Sequence, residues 1–211
     1  MYRVYARPNW GSVFVEALLA LANEPYELID VDISDSSADS AKHTEVNLRA
    51  QLPTIVTPDG TVVTESHKIA FYIAERAPPG LLAPPPGDRL HLAYRSWQIN
   101  LGVFVDSEII FDTLARWADG EEGRAASKTR EDALRKKLLP PFESSAEEPW
   151  FLGVRFSTLD VFVSIMTRWS PDRDWYRENC PKLHAIAVAV DRLPPLKEIW
   201  ARNFAPDKQY Q

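Results

Sequence analysis

The chain predicts an α/β domain followed by an all-helical one, and three observations carry that expectation. Short β-branched runs alternate with helix-spaced apolar residues up to about residue 76. Residues 77–87, APPGLLAPPPG, then hold five prolines in eleven positions, a composition that no helix continues through. Beyond them the apolar residues step at three and four.

Taken in order, residues 2–7 (YRVYAR) form a first strand, which Pro8-Asn9-Trp10-Gly11 interrupts. Ser12 opens a helix to about Asn23, with Val15, Leu18, Leu19 and Ala22 on one face. A second strand runs over 26–33. Residues 34–46 are polar and serine-rich, the composition of a loop or short helix. The order βαβ, loop or helix, ββα implies a parallel pair and a hairpin in one sheet.

The stretch 51–72, QLPTIVTPDGTVVTESHKIAFY, carries most of the information. Leu52 to Thr57 is apolar and β-branched, Pro58-Asp59-Gly60 is turn chemistry, and Thr61 to Thr64 is β-branched again. Ile69, Phe71, Tyr72 and Ile73 then take helical spacing. A hairpin feeding a helix sets Glu65 and Ser66 at the helix N-terminus, where unsatisfied N–H groups and the positive dipole end favour a carboxylate ligand. On their own, Leu52-Pro53 also suits a trans strand entry, Glu65 ordinary dipole complementation, and Ser66 or Thr64 an N-cap.

In the remainder, Asp88 caps a long helix through Leu114 or Trp117, with Leu90, Ala93, Trp97, Leu101, Phe104, Glu108, Phe111 and Ala115 in register. Asp119-Gly120 ends it. A second helix starts near Ser127 and reaches Leu139, where Pro140-Pro141 breaks or restarts it. Ser157 and Asp160 fit a capping box ahead of an apolar run. Helices over 181–192 and 195–203 finish the chain. Domains are expected at 1–77 and 88–211, with a linker at 78–87.

Leu52-Pro53 before a strand, and Glu65-Ser66 before a helix, resemble the glutathione-binding half of the glutathione S-transferase family. The resemblance extends to the Ser-x-x-Asp box at 157–160, and is loosest between 120 and 148. It implies a thioredoxin-like N-terminal domain (βαβ-α-ββα), an all-α C-terminal domain and a homodimer. It implies that Pro53 is cis, that Leu52 meets the cysteinyl unit of glutathione with its backbone, and that Glu65 and Ser66 hold the γ-glutamyl end. Gln51 would contact the glycyl end, and His43 would reach its carboxylate or simply be solvated.

Transferase chemistry needs a thiolate near neutral pH, although a free thiol has a pKa of about 8.5. A hydroxyl donor at a helix start stabilises the anion by a hydrogen bond and by the helix dipole. Ser12 is the expected catalytic donor, after a Gly11 that lets the loop turn; its alternative is a plain cap. Asn9 is the second candidate and Tyr5 the third. The segment Pro8–Ser12 departs from the family's commoner Tyr or Ser-x-Ser patterns. It holds no cysteine, which disfavours exchange through a protein thiol. A pocket between domains would take a hydrophobic electrophile, with Trp10, Tyr94, Phe104 and Phe111 as candidate lining.

Composition narrows the classes. A net charge of −6 disfavours nucleic acid as partner. One cysteine, Cys180, excludes a disulfide framework and a cysteine-based metal site, and no metal is expected. No apolar run approaches the roughly 20 residues of a membrane span, and no secretory signal is visible, so a cytoplasmic protein is expected. Three functions stay open: a glutathione transferase, a non-catalytic ligand carrier or regulatory protein on the same fold, and a glutathione-dependent reductase, isomerase or ether-cleaving enzyme.

Overall fold

The first strand, β1 (Tyr2–Ala6), pairs in parallel with β2 (Tyr26–Asp30) through the helix α1 (Ser12–Leu21). The structure is a computed structural model that describes residues 1–32, 38–117, 120–169 and 172–204; within helices it leaves out the side chains of 38–41, 105–117, 131 and 135. Helix α2 (Ala38–Val46) precedes β3 (Thr54–Val56) and β4 (Val62–Thr64), and α3 (Ser66–Arg76) follows. The sheet order is β2-β1-β3-β4, with β3 antiparallel to both β1 and β4. The βαβ and hairpin topology read from the sequence is the observed one. Of the loop or helix expected at 34–46, residues 38–46 are helix; 33–37 lie outside the described residues. Gly60, at φ 87°, makes the hairpin turn possible.

Helix α1 is not the half-exposed helix its pattern suggests. Ser12 through Leu19 are all buried, including Glu16. Helix α3 lies on one side of α1, and a 3₁₀ turn (Pro194–Leu196) with the last helix covers more of it. That last helix, here α9 (Lys197–Asn203), places Arg202 Nη1 at 3.0 Å from Glu16 Oε1, and Arg202 also pairs with Asp30. The compact units are therefore Met1–Pro85 with Val190–Gln211, and Pro86–Ala189. This differs from a helical domain running 88–211. An ion pair to a buried glutamate, which sequence spacing cannot reveal, returns the C-terminal segment to the first unit.

Within the second unit, α4 (His91–Trp117) follows Asp88, whose Oδ1 accepts from the Leu90 amide at 2.8 Å. The side chains of Glu108, Phe111 and Ala115, and residue 119, lie outside the described residues. Helix α5 (Gly120–Ser145) starts earlier than Ser127 and runs through Pro140 and Pro141. Two prolines remove two ladder donors, but tertiary packing holds the turn. Leu139 and Phe142 are buried, with Phe142 against Trp97 and Phe104 at ring distances of 5.4 and 5.6 Å. The next residue, Glu143, accepts through its carboxylate from the Lys182 and Leu183 amides at 3.0 and 3.1 Å, capping α8 (Pro181–Asp191). Sequence reading missed α7 (Arg173–Asn179), which Asp172 caps by accepting from the Trp175 amide at 3.0 Å.

The Ser157–Asp160 capping box opens α6 (Thr158–Met166), every residue of which is buried. Asp160 Oδ1 accepts from the Phe151 amide at 2.6 Å and Oδ2 from the Ser157 amide at 2.7 Å. One carboxylate thus ties the preceding turn to the helix start. Burial pushes its pKa up to about 7, against the pull of those donors. A carboxyl with a raised folded pKa binds its proton more tightly when folded. Its contribution to stability is full below the unfolded value of 3.8 and fades as pH rises to about 7. The stability of the native chain minus that of Asp160→Asn, from urea unfolding, is therefore expected to fall between those pH values, by at most about 1.4 kcal/mol per pH unit. A difference that is flat across this range would refute the raised pKa.

Candidate functional site

Sheet register assembles the site. Tyr5 on β1 faces Thr54 on β3, and Thr54 faces Thr64 on β4. These three residues form one row across the sheet. Just beyond that row come the loop after β1, the segment entering β3, and the junction from β4 into α3. The loop holds Asn9 to Gly11, the entry holds Gln51 to Pro53, and the junction holds Glu65 and Ser66. A side-chain carbon built on Gly11 would sit 3.2 Å from Ser66 Oγ and 3.4 Å from Pro53 Cδ, so the three segments touch at a glycine. The absence of a Cβ permits that approach.

The Leu52–Pro53 peptide is cis, as the resemblance implied. Leu52 is half-buried and packs on Tyr5, Val31 and Val56, while Gln51 is exposed. Glu65 occupies the N-cap position of α3 at φ 69°, ψ 118°, where a side chain is strained by about 1–3 kcal/mol. Its carboxylate caps nothing. It projects outward, about half exposed, 2.8 Å from Arg49 Nη1. A negative group and the amide-rich start of a helix thus stand side by side. An α-amino acid terminus, ammonium beside carboxylate, complements such a pair.

The predicted thiol donor lies elsewhere. Ser12 is fully buried. Its hydroxyl donates to the Arg7 carbonyl at 2.9 Å and accepts from the Arg7 amide at 3.1 Å. A hydroxyl has one hydrogen, and this one closes the loop between β1 and α1 rather than facing a ligand. Tyr5, the third candidate, is in the core, stacked on His43 at 5.2 Å. Asn9 is exposed, in the left-handed region at φ 64°. Its amide donates to Asn203 Oδ1 at 3.4 Å, and Asn203 Nδ2 reaches Glu16 Oε2 at 3.3 Å. The C-terminal helix thereby contacts the loop, a link no sequence signal announced. Trp10 is half-buried, with the Arg7 guanidinium 5.3 Å from its ring.

His43 is neither solvated nor a surface ligand for a carboxylate. It is 1% exposed, with Nε2 3.2 Å from Thr54 Oγ1, and burial lowers its pKa. His67, next to Ser66 on α3 and 5.9 Å from the Phe14 ring, is held down to about 4, also by burial. Tyr94 and Phe104 belong to the core of the helical unit, where Tyr94 bonds Thr158 Oγ1 at 3.0 Å; the Phe111 side chain lies outside the described residues. Cys180 is buried and its thiol is pushed up to about 12 by burial and then by Glu143.

Comparison with known proteins identifies the family and the fold. The family model "Glutathione S-transferase, N-terminal domain" matches residues 2–75. Over 206 residues the chain is 31% identical to the uncharacterized GST-like protein YncG of Escherichia coli K12, covering 96% of this chain and 98% of that one. The chain belongs to the glutathione S-transferase family. It is also 25% identical over 200 residues to glutathione S-transferase GstA of Escherichia coli O157:H7, covering 93% of this chain and 94% of that one. A Sulfitobacter glutathione transferase homologue, solved with bound glutathione, shares the fold at a TM-score of 0.81 and 20% identity, over 95% of this chain and 97% of that one. A Methylobacillus flagellatus glutathione S-transferase with glutathione bound shares it at 0.74 and 19%, over 94% and 98%. Among the described residues no helix is long and apolar enough to cross a membrane.

Two outcomes follow from these placements. Ser12→Ala should lower unfolding free energy by about 1–3 kcal/mol in urea titrations, because the Arg7 amide loses the Ser12 hydroxyl, while the Arg7 carbonyl keeps the Trp10 amide at 3.3 Å; an unchanged midpoint would contradict the sealed hydroxyl. Cys180 should resist a thiol reagent in the native protein and react fully once denaturant is added. Rapid native labelling would show that the thiol is accessible.

Proposed function

We propose that this protein is a glutathione transferase that holds glutathione across the Leu52–Pro53, Glu65–Ser66 and Asn9–Gly11 segments and activates its thiol for attack on a hydrophobic electrophile. The observation that carries the reading is the convergence of the three segments at Gly11, with Glu65 turned outward beside a helix start. Glu65 receives the γ-glutamyl ammonium, and the first amides of α3 with Ser66 receive its carboxylate. Leu52 pairs with the cysteinyl backbone, and Gln51 lies towards the glycyl end. The solved relatives that carry glutathione support this ligand.

With Ser12 committed to Arg7, the sulfur donor falls to the Asn9 side-chain amide, aided by the positive dipole end of α1. A neutral amide is a weaker stabiliser of a thiolate than a charged group, so a modest fall in thiol pKa is expected. The electrophile adds to sulfur as the thiolate displaces a leaving group or opens an activated double bond. A homodimer suits the exposed Leu92, Ile99 and Val103, which recur at helical spacing on α4. A reducing cytoplasm suits a free-thiol substrate.

One observation favours a second reading, a glutathione-fold carrier without catalysis: the hydroxyl at the helix start is sealed from ligand. The pKa of bound glutathione, followed by thiolate absorbance, separates the two. Transferase action requires a value below the free thiol's 8.5 or so; an unshifted value leaves only the carrier. In the transferase case, Asn9→Ala should raise that pKa while Ser12→Ala leaves it unchanged. Glu65→Ala should weaken glutathione binding by about tenfold or more in calorimetry, as loss of a charge-assisted contact does. Undiminished affinity would remove Glu65 from the site.

A further inference from the structure

Beneath the Gln51–Pro53 segment lies a buried polar network in which every hydrogen can be assigned. Asn47 is 7% exposed and Thr54 is fully buried. Asn47 Oδ1 accepts from the Arg49 amide at 3.1 Å, which fixes the orientation of its side chain. Its Nδ2 hydrogens then go to the Gln51 carbonyl at 3.0 Å and to Thr54 Oγ1 at 2.9 Å. Thr54 Oγ1 also lies 2.9 Å from the Gln51 carbonyl. A carbonyl cannot donate, so the single hydroxyl hydrogen points there. Thr54 Oγ1 can only accept from its other neighbours, and His43 Nε2 at 3.2 Å must therefore carry a hydrogen. His43 is the Nε2–H tautomer, its Nδ1 without a hydrogen-bond partner among the described residues. Tyr5 stacks on the ring and keeps it in place.

The consequence reaches the ligand face through one peptide plane. The 51–52 peptide is not among the cis bonds, and in a trans peptide the C=O and the following N–H point in opposite directions. Two donors draw the Gln51 carbonyl inward, so the Leu52 N–H is aimed outward. We propose that Asn47, Thr54 and His43 are positioning residues of the ligand site, which fix the Gln51–Leu52 peptide so that the Leu52 N–H faces the backbone of a bound γ-glutamyl tripeptide. None of the three touches the ligand. Their effect is preorganisation: the donor is set before the peptide arrives. The inference rests on the glutathione reading above.

Thr54→Val keeps the shape and the strand preference but removes both the hydroxyl hydrogen and its two acceptor sites. Thr54→Ser keeps them. Thr57→Val, a second buried threonine next to β3 that bonds the hairpin turn, is the matched control. Each variant is checked for a native far-UV spectrum, glutathione affinity is measured by calorimetry, and the His43 tautomer is read from imidazole ¹⁵N shifts. Thr54→Val is expected to lose about tenfold in affinity and to shift the His43 resonances. Thr54→Ser should stay within about twofold of the native chain with the Nε2–H pattern kept, and Thr57→Val should bind normally although less stable. Native affinity in Thr54→Val, or an Nδ1–H tautomer in the native chain, overturns the positioning role alone. Failure of the native chain itself to bind glutathione overturns the glutathione reading, and the ligand part of this inference with it.

Discussion

The structure turns on the double pairing of β3. This three-residue strand is hydrogen-bonded on one side to β1 and on the other to β4. Because side-chain direction alternates along a strand, a slip of one residue would invert every side chain of β3 and misplace both neighbours. The observed register puts Tyr5, Thr54 and Thr64 in line, and so brings three loops distant in sequence to one end of the sheet. Thr54 is central twice, once in the ladder and once as the hub of the hydrogen bonds beneath Gln51. The sheet register and the hydrogen bonds on the Gln51 carbonyl thus meet at the same residue.

Buried charge and polarity are used here to anchor segments. Glu16 sits inside α1 with its pKa raised by burial, and Arg202 and Asn203 partly offset that penalty. Such a pair is weak evidence for stability, but it gives the C-terminal helix one place to dock. Asp160 does the same for the turn before α6, and Glu143 for the start of α8. In each case a carboxylate supplies acceptors to backbone amides or to a guanidinium. Glu65 differs: it is a carboxylate in a strained N-cap conformation that satisfies no backbone amide and faces outward. Its ion partner is the exposed Arg49, 2.8 Å away.

What could be read in advance divides along the range of the interactions. Leu52-Pro53, Glu65-Ser66 and the Ser157–Asp160 box are local patterns, and each lies where the pattern implied. His43 and Ser12 were misjudged because their types suit a surface or a ligand site equally well, and long-range packing decided otherwise. His43, on α2, is covered by Tyr5 of β1, and Ser12 is turned inward by Arg7, five residues away. The prolines in α5 read as a break or restart, yet Phe142, the residue after them, anchors the turn against Trp97 and Phe104 of α4. Asn47, Thr54 and Asn203 carried no signal, since an asparagine or threonine in a loop, strand or helix end has many ordinary uses.

The sequence by itself determined the order of elements in the α/β part, the hairpin that feeds α3, and the chemical character of its N-terminus, because periodicity, turn residues and capping act over a few neighbouring positions. Only the tertiary structure decided which polar groups are spent internally and which remain for a ligand. That choice depends on how the folded segments pack, as when Tyr5 of β1 covers His43 of α2, and a hydroxyl or imidazole has too few bonding sites to serve both.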